Sequence, residues 1–214
     1  MFHKFKAVLF DLVGTLVDSM SMWKEIDVEY LYLFGIAVPK TLQQDIEGLT
    51  MGQTAVYFKE TFGIVDDVEE IQRTWNSMAY EKYTNEVPLK SFAKEFLNLL
   101  KEKNILCGIA TSNSSVLTDA ILESHHIKEY FNAVTTGDDV VNGKPAPEIY
   151  LKTAEKLGVE PKDCLVFEDI PVGIIAGKNA GMTVYAVEDN YSVKDREEKM
   201  RLADAYVMSY EELL

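Results

Sequence analysis

Four apolar, β-rich runs in this chain each lead into side chains that can handle charge. AVLF at 7–10 leads into Asp11 and then Gly14-Thr15, and LCGIA at 106–110 into Thr111-Ser112-Asn113. AVT at 133–135 precedes a loop ending in NGKPAPEIY, which carries Lys144, and CLVF at 164–167 leads into Glu168-Asp169. In an open α/β sheet a ligand sits beyond the carboxyl ends of the strands. These positions would therefore bring three carboxylates, a hydroxyl and an amine to one sheet edge. Clustered carboxylates are costly unless a cation compensates them. Hard oxygen ligands, few in number, suit Mg²⁺ bridging to a phosphate. An amine and a hydroxyl beside them suit the remaining phosphoryl oxygens.

Each residue taken singly has a blander reading. Asp11 could be a turn residue, and Thr111 and Asn113 could cap the helix beginning near Ser115. Lys144 could be an exposed loop lysine. Glu168-Asp169 could serve the N-terminus of the next helix. Only the ordered set points to phosphoryl chemistry.

The elements that must position these residues follow from hydrophobic patterning. Strands are expected at Ala7–Phe10, Leu106–Ala110, Ala133–Thr135, Cys164–Phe167, Thr183–Val187 and Ala205–Val207, several apolar at successive positions, as strands covered on both faces should be. Helices fit at Phe92–Lys103, Ser115–His125, Pro147–Leu157 and Pro171–Ala180, with prolines suited to first turns and Gly158 and Gly181 just past helix ends. This alternation implies an α/β fold, a doubly wound, Rossmann-like, mostly parallel sheet. The interval from Ser19 to Glu86 differs: it shows helical patterns near Ser21–Phe34, Met51–Phe62 and Val68–Tyr83, punctuated by Gly35, Pro39, Gly48 and Gly63. It reads as a helical lid, residues 18–86, inserted into a core of residues 1–17 and 87–214. Tyr30, Tyr32, Phe34, Tyr57, Phe58 and Phe62 recur at helical spacing and are expected mostly in the lid's own core.

The bulk numbers exclude several classes. The chain has 214 residues, 47% of them hydrophobic and 26% charged, enough for one sizeable core with a small accessory unit. A net charge of −14 disfavours nucleic acid and anionic membranes as partners. No apolar run approaches the roughly 18 residues a membrane span needs, and MFHKFK leads straight into a strand instead of a signal-peptide core. Cys107 and Cys164 lie in apolar runs without CxxC spacing, as buried reduced thiols would. A cytoplasmic protein acting on a small molecule is the expectation. Gly173, Gly177 and Gly181 follow Glu-Asp-Ile-Pro and are expected to serve close helix–sheet packing, not a dinucleotide.

The segments FDLVGTLVDS, GIATSNS, GDDVVNGKPAPEIYLKTAEKLGV and VFEDIPVGIIAGKNAGM, in this order, resemble the haloacid dehalogenase superfamily. More narrowly they resemble its β-phosphoglucomutase-like and phosphoglycolate-phosphatase-like branch. The resemblance covers nearly the whole chain. It implies a Mg²⁺-dependent hydrolase of a small phosphorylated metabolite, a phosphate monoester such as a sugar phosphate. Asp11 would be the nucleophile, forming an aspartyl phosphate, and also a metal ligand. Asp169 and the Val13 backbone carbonyl would be further ligands, with Glu168 direct or water-mediated beside them. Thr111 would bind the transferring phosphoryl group, with Asn113 nearby, and Lys144 would neutralise charge. Residues 18–86 would be a helical cap, and EGLTMGQT, with Gly48 and Thr50, would stand at its substrate-specificity loop.

One position departs from that pattern. The branch has a second Asp two residues after the nucleophile, for proton transfer, and this chain has Val13. Asp18, beyond Gly14-Thr15, is a poor substitute. The relatives that dispense with the second Asp by a cap lysine are not matched, since the comparable residue is Met51. The metal-free dehalogenases carry Tyr at the second-Asp position, whereas this chain keeps Glu168-Asp169, which speaks for a metal-using ancestor. A mutase would also have a histidine where Trp23 stands, and Asp45 and Glu47 would not hold a second phosphate. The expectation is a hydrolase that is weak on alkyl phosphates. The alternatives are a β-phosphoglucomutase-type mutase and a lapsed module that binds phosphometabolites.

Overall fold

The computed structural model describes residues 4–214; the opening Met1-Phe2-His3 of MFHKFK lie outside the described residues. Among these, six strands form one parallel sheet: β1 Ala7–Phe10, β2 Leu106–Ala110, β3 Ala133–Thr135, β4 Cys164–Glu168, β5 Thr183–Val187 and β6 Ala205–Val207, in the order β3-β2-β1-β4-β5-β6. The strand expectations hold, with β4 running one residue further, to Glu168. Strand β1 is central and its four residues are buried, which is why the run is apolar throughout.

The period-two geometry of β1 splits its side chains between two cores. Val8 and Phe10 join Ile109, Leu165 and Phe167 on one face, under α5 (Ala93–Glu102) and α6 (Ser115–Ser124). Phe10 stacks on Phe167 with centroids 5.3 Å apart. Ala7 and Leu9 join Ala110, Val166 and Val184 on the other, under α7 (Glu148–Leu157) and α8 (Pro171–Asn179). Cys107 and Cys164 are buried free thiols, and burial pushes them up to about 12 and about 11. Helix α5 starts one residue later than the pattern predicts: Phe92 adopts φ 62 as its cap, and the chain turns there with Ala93 N–H bonded to the Lys90 carbonyl.

Between β1 and α5 the described chain is helical: α1 Met20–Leu33, α2 Leu42–Asp45, α3 Met51–Phe62 and α4 Val68–Asn85. Its aromatic centre is Tyr30, Phe58 and Trp75, with Phe58 and Trp75 edge to face at 4.9 Å. Tyr32 departs from the expected lid core: it is 80% exposed, because its helical phase points it away from this cluster. Helix α4 packs along α6, and the Ser114 hydroxyl at the head of α6 donates to Asn76 Oδ1 at 2.7 Å. Among the described residues no helix is long and apolar enough to cross a membrane.

Candidate active site

Sheet register assembles the site. Phe10 is level with both Ile109 and Phe167, so the residues just past β1, β2 and β4 emerge side by side. Asp11 N–H donates to the Phe167 carbonyl at 3.0 Å, and Thr111 N–H to the Thr135 carbonyl at 3.1 Å, extending the ladder one step into the site. Asp11, Val13, Thr111, Asn113, Lys144 and Asp169 all line one cavity, as do Gly48 and residues of α1, α3 and α4.

Lys144 is buried, and its amine lies 2.6 Å from Asp11 Oδ1 and 2.5 Å from Glu168 Oε1. The exposed-loop reading of Lys144 is thereby excluded. Burial alone would lower its basicity, but Asp11 and Glu168 outweigh that and hold it charged. Burial, reinforced by Glu168 and opposed by Lys144, pushes the Asp11 carboxyl up to about 7. Asp169 is also raised, first by burial and then by the charges of Glu168 and Asp11. This edge thus carries more negative charge than its one ammonium offsets.

Asp169 shows where a cation fits. Its Oδ1 accepts from the Thr15 hydroxyl at 3.0 Å and its carbonyl from Ser192, whereas its buried Oδ2 has no partner among the described residues. Gly14 (φ 81) permits this close approach: a Cβ there would fall 2.1 Å from that oxygen. Two carboxylates, one of them with an orphaned oxygen, suit Mg²⁺, which takes one or two carboxylates and leaves its other positions to water or phosphate. Among the described residues no group of three or more His, Cys, Asp or Glu side chains forms a metal cluster. Glu168 explains why. Its Oε1 accepts from Lys144 and from Tyr150 at 2.7 Å, and its Oε2 accepts from Asp169 N–H and Ile170 N–H. Both oxygens are committed to the protein.

Thr111 and Asn113 do not cap α6. That task falls to Ser114, whose hydroxyl accepts from Leu117 N–H, leaving Thr111 in the cavity wall with its hydroxyl accepting from Asn113 N–H at 3.2 Å. Asn113 Nδ2 donates to Tyr83 at 3.4 Å, and Tyr83 also accepts from Trp23 Nε1 at 2.5 Å. Gly48 (φ 79) presses on the Lys144 loop: a Cβ there would sit 2.8 Å from the Lys144 carbonyl. Thr50 caps α3 through a reciprocal box with Gln53, and Met51 N–H donates to the Ser112 carbonyl. The EGLTMGQT loop therefore docks on the sheet edge.

Several site residues escape sequence reading. Tyr150 and Ser192 are ordinary residues whose roles exist only through contacts across the fold, and Thr15, legible as a strand-end hydroxyl, gains its partner Asp169 only there. Gly173 is a correction. Gly177 does pack on the sheet, its absent Cβ being 2.7 Å from Val184, but Gly173 makes room for the Glu168 carboxylate, 1.9 Å from where a Cβ would be. Asp27 is a further addition: it is 5% exposed, lines the same cavity and accepts from Gln43 Nε2 at 2.7 Å. Burial raises it to about 6.

Residues 8–187 match the model of the haloacid dehalogenase-like hydrolase family. The chain is 28% identical over 210 residues to the phosphorylated carbohydrates phosphatase of Thermotoga maritima, spanning 98% of this chain and 96% of that one. It is 26% identical over 220 residues to hexitol phosphatase B of Escherichia coli K12, spanning 97% and 93%. Among solved structures, CbbY from Rhodobacter sphaeroides in complex with phosphate aligns with a TM-score of 0.86 at 22% identity, over 98% of this chain and 96% of that one, which speaks to the fold.

Proposed function

The chain belongs to the haloacid dehalogenase-like hydrolases, and on that premise we propose that it is a Mg²⁺-assisted hydrolase of small phosphate monoesters, working through Asp11. One observation carries the reading: Asp11, gripped by buried Lys144, faces a cavity shared with Thr111 and the orphaned carboxylate oxygen of Asp169. Named relatives that are phosphatases of phosphorylated carbohydrates and hexitols support the substrate class. Residues 18–86 would be the cap that closes over the bound ester, with Gly48 and Thr50 in its specificity loop.

Asp11, Asp169 and the Val13 carbonyl would hold Mg²⁺, whose charge, when bound, offsets that of the phosphoryl oxygens. Lys144 and the Thr111 hydroxyl orient the phosphoryl group for in-line attack by an Asp11 oxygen. The new oxygen–phosphorus bond forms as the ester oxygen–phosphorus bond breaks, and the alcohol oxygen leaves with the bonding pair. Water then attacks phosphorus, freeing Asp11 and inorganic phosphate. Glu168 holds Lys144 in place; its filled hydrogen bonds favour that task over direct ligation.

Val13 alters both halves. An aryl oxide leaves without a proton, so the first half should run on aryl phosphates. Water attack on the aspartyl phosphate has no base at position 13, so the second half should be slow. The expected result with an aryl phosphate and Mg²⁺ is a burst of phenol stoichiometric with enzyme, followed by slow turnover, with a phosphoryl group recovered on the Asp11 peptide. Absence of both burst and turnover above an Asp11→Asn blank would refute the reading.

A further inference from the structure

Two lysines are buried among the described residues, Lys144 and Lys199. Lys144 meets two carboxylates, but Lys199, 0% exposed on the helix Arg196–Leu202, forms no ion pair among the described residues. A lysine is almost never buried so fully without such a partner. Its amine instead donates to Ser192 Oγ at 2.9 Å and to the Val187 carbonyl at 3.4 Å, and lies 5.5 Å from the centre of the Tyr206 ring. An ammonium has only donors to offer, so Ser192 Oγ must accept from it. The single proton of that hydroxyl is then left to donate, and it goes to the Asp169 carbonyl at 2.8 Å. Lys199 thereby sets the direction of a buried two-bond chain that ends on Asp169.

That chain completes the hold on Asp169. Its N–H donates to Glu168 Oε2 at 2.9 Å, its Oδ1 accepts from Thr15 at 3.0 Å, and its carbonyl accepts from Ser192, so only Oδ2 is left without a partner. The loop bearing Ser192 is itself anchored: Asp189 Oδ1 accepts from Tyr191 N–H at 2.8 Å and Asp189 Oδ2 from the Lys90 amine. Of the charges around the Lys199 amine, that of Asp169 attracts it most strongly. We propose that Lys199 is a positioning residue for the metal site: acting through Ser192, it locks the main chain of Asp169 so that Oδ2 is presented to Mg²⁺. This rests on the Mg²⁺ reading above and adds to it a support three residues removed from the ion.

The test is calorimetric titration of Mg²⁺ alone into the metal-free full chain, with melts alongside. Lys199→Met and Ser192→Ala should each weaken Mg²⁺ binding by about tenfold, the lower end of what loss of an outer hydrogen-bond partner does to a metal site. The double variant should bind about as weakly as the weaker single one, because both act through one chain. In the aryl phosphate burst, the Mg²⁺ concentration giving half the maximal rate should rise by the same factor, and the rate at saturating Mg²⁺ should hold. Leu97→Ala, a truncation in the buried core under the sheet, should lower the melting temperature and leave Mg²⁺ affinity alone. If Lys199→Met and Ser192→Ala bind Mg²⁺ like the parent, if Leu97→Ala weakens binding as much as they do, or if their effects simply multiply, the positioning role is overturned and the hydrolase reading stands. If the parent itself binds no Mg²⁺, both are overturned.

Discussion

Lys144 can remain charged in a buried setting only because two carboxylates meet its amine, and the same contact keeps Asp11 from being a simple buried acid. Removing one member of such a triad leaves the others uncompensated, at a cost of roughly 3–5 kcal/mol. Lys144→Met should therefore lower the melting temperature of the metal-free protein markedly as well as abolish phosphoryl transfer. Tyr150→Phe, which removes one of the hydrogen bonds to Glu168, should cost only about 1–1.5 kcal/mol and leave the Asp11 chemistry largely intact. Thermal melts of both variants, with burst assays alongside, check the pair. The polar residues at strand ends were legible in the sequence because strand direction and topology fix where such residues gather. Tyr150 and the true role of Gly173 were not, since a hydroxyl or glycine acquires meaning only from what the fold sets opposite it. Val13 was legible as a departure, and the structure gives it a half-buried place in the cavity wall beside Asp11.

At the scale of elements, the join between the helical insertion and the sheet edge is narrow and specific. The loop before α3 touches the Lys144 loop at Gly48 and Gly143, and the Ser112 carbonyl through Met51. A side chain at position 48 would need both a positive φ and space already filled by the Lys144 carbonyl and Val172. Gly48→Ala should push the loop away, raising KM for phosphate esters several-fold while shifting the melting temperature little. Steady-state kinetics with a parallel melt separates this from a general loss of fold. Alternating β and α patterns predicted nearly all these elements to within a residue or two. The short α2 and the seven-residue helix Arg196–Leu202 were missed because so few residues hold too little periodicity to read, and the Phe92 turn because a left-handed aromatic has no sequence signature.

For the whole molecule, the carboxylates that line the cavity, Asp11, Asp27, Glu47 and Asp169, outnumber its one lining cation among the described residues, Lys144, and this couples stability to pH. Asp27 makes the clearest case: it is buried, and its Oδ2 accepts from Gln43, whose amide oxygen in turn accepts from the Tyr191 hydroxyl. Its carboxyl rises from 3.8 to about 6 in the folded protein, from burial, with Gln43 opposing. The folded state thus binds the proton more tightly than the unfolded one. That contribution is full below the unfolded value and is lost as pH rises from about 4 through about 6, a total on the order of 3 kcal/mol. Asp27→Asn keeps the Gln43 contact without the charge, so it should melt higher than the parent above pH 6 and converge with it near pH 4. Denaturation across that range, without metal or ligand, checks the sign. The fold class was readable because six strand-like runs imposed it. The content of the cavity was not, because the helical insertion contributes Asp27, Gln43 and Trp75 from helices whose facing depends on packing.

The central claim is that this site is a complete phosphoryl-transfer site lacking only its proton-transfer group. The measurement that tests it most directly is steady-state phosphate release from an alkyl and an aryl phosphate with Mg²⁺, comparing the chain with Val13→Asp and an Asp11→Asn blank. Restoring the carboxylate should raise alkyl phosphate turnover by about two to four orders of magnitude, with a smaller gain on the aryl ester. If Val13→Asp gains nothing over the parent on either ester, the missing group is not what limits this site, and the account is wrong.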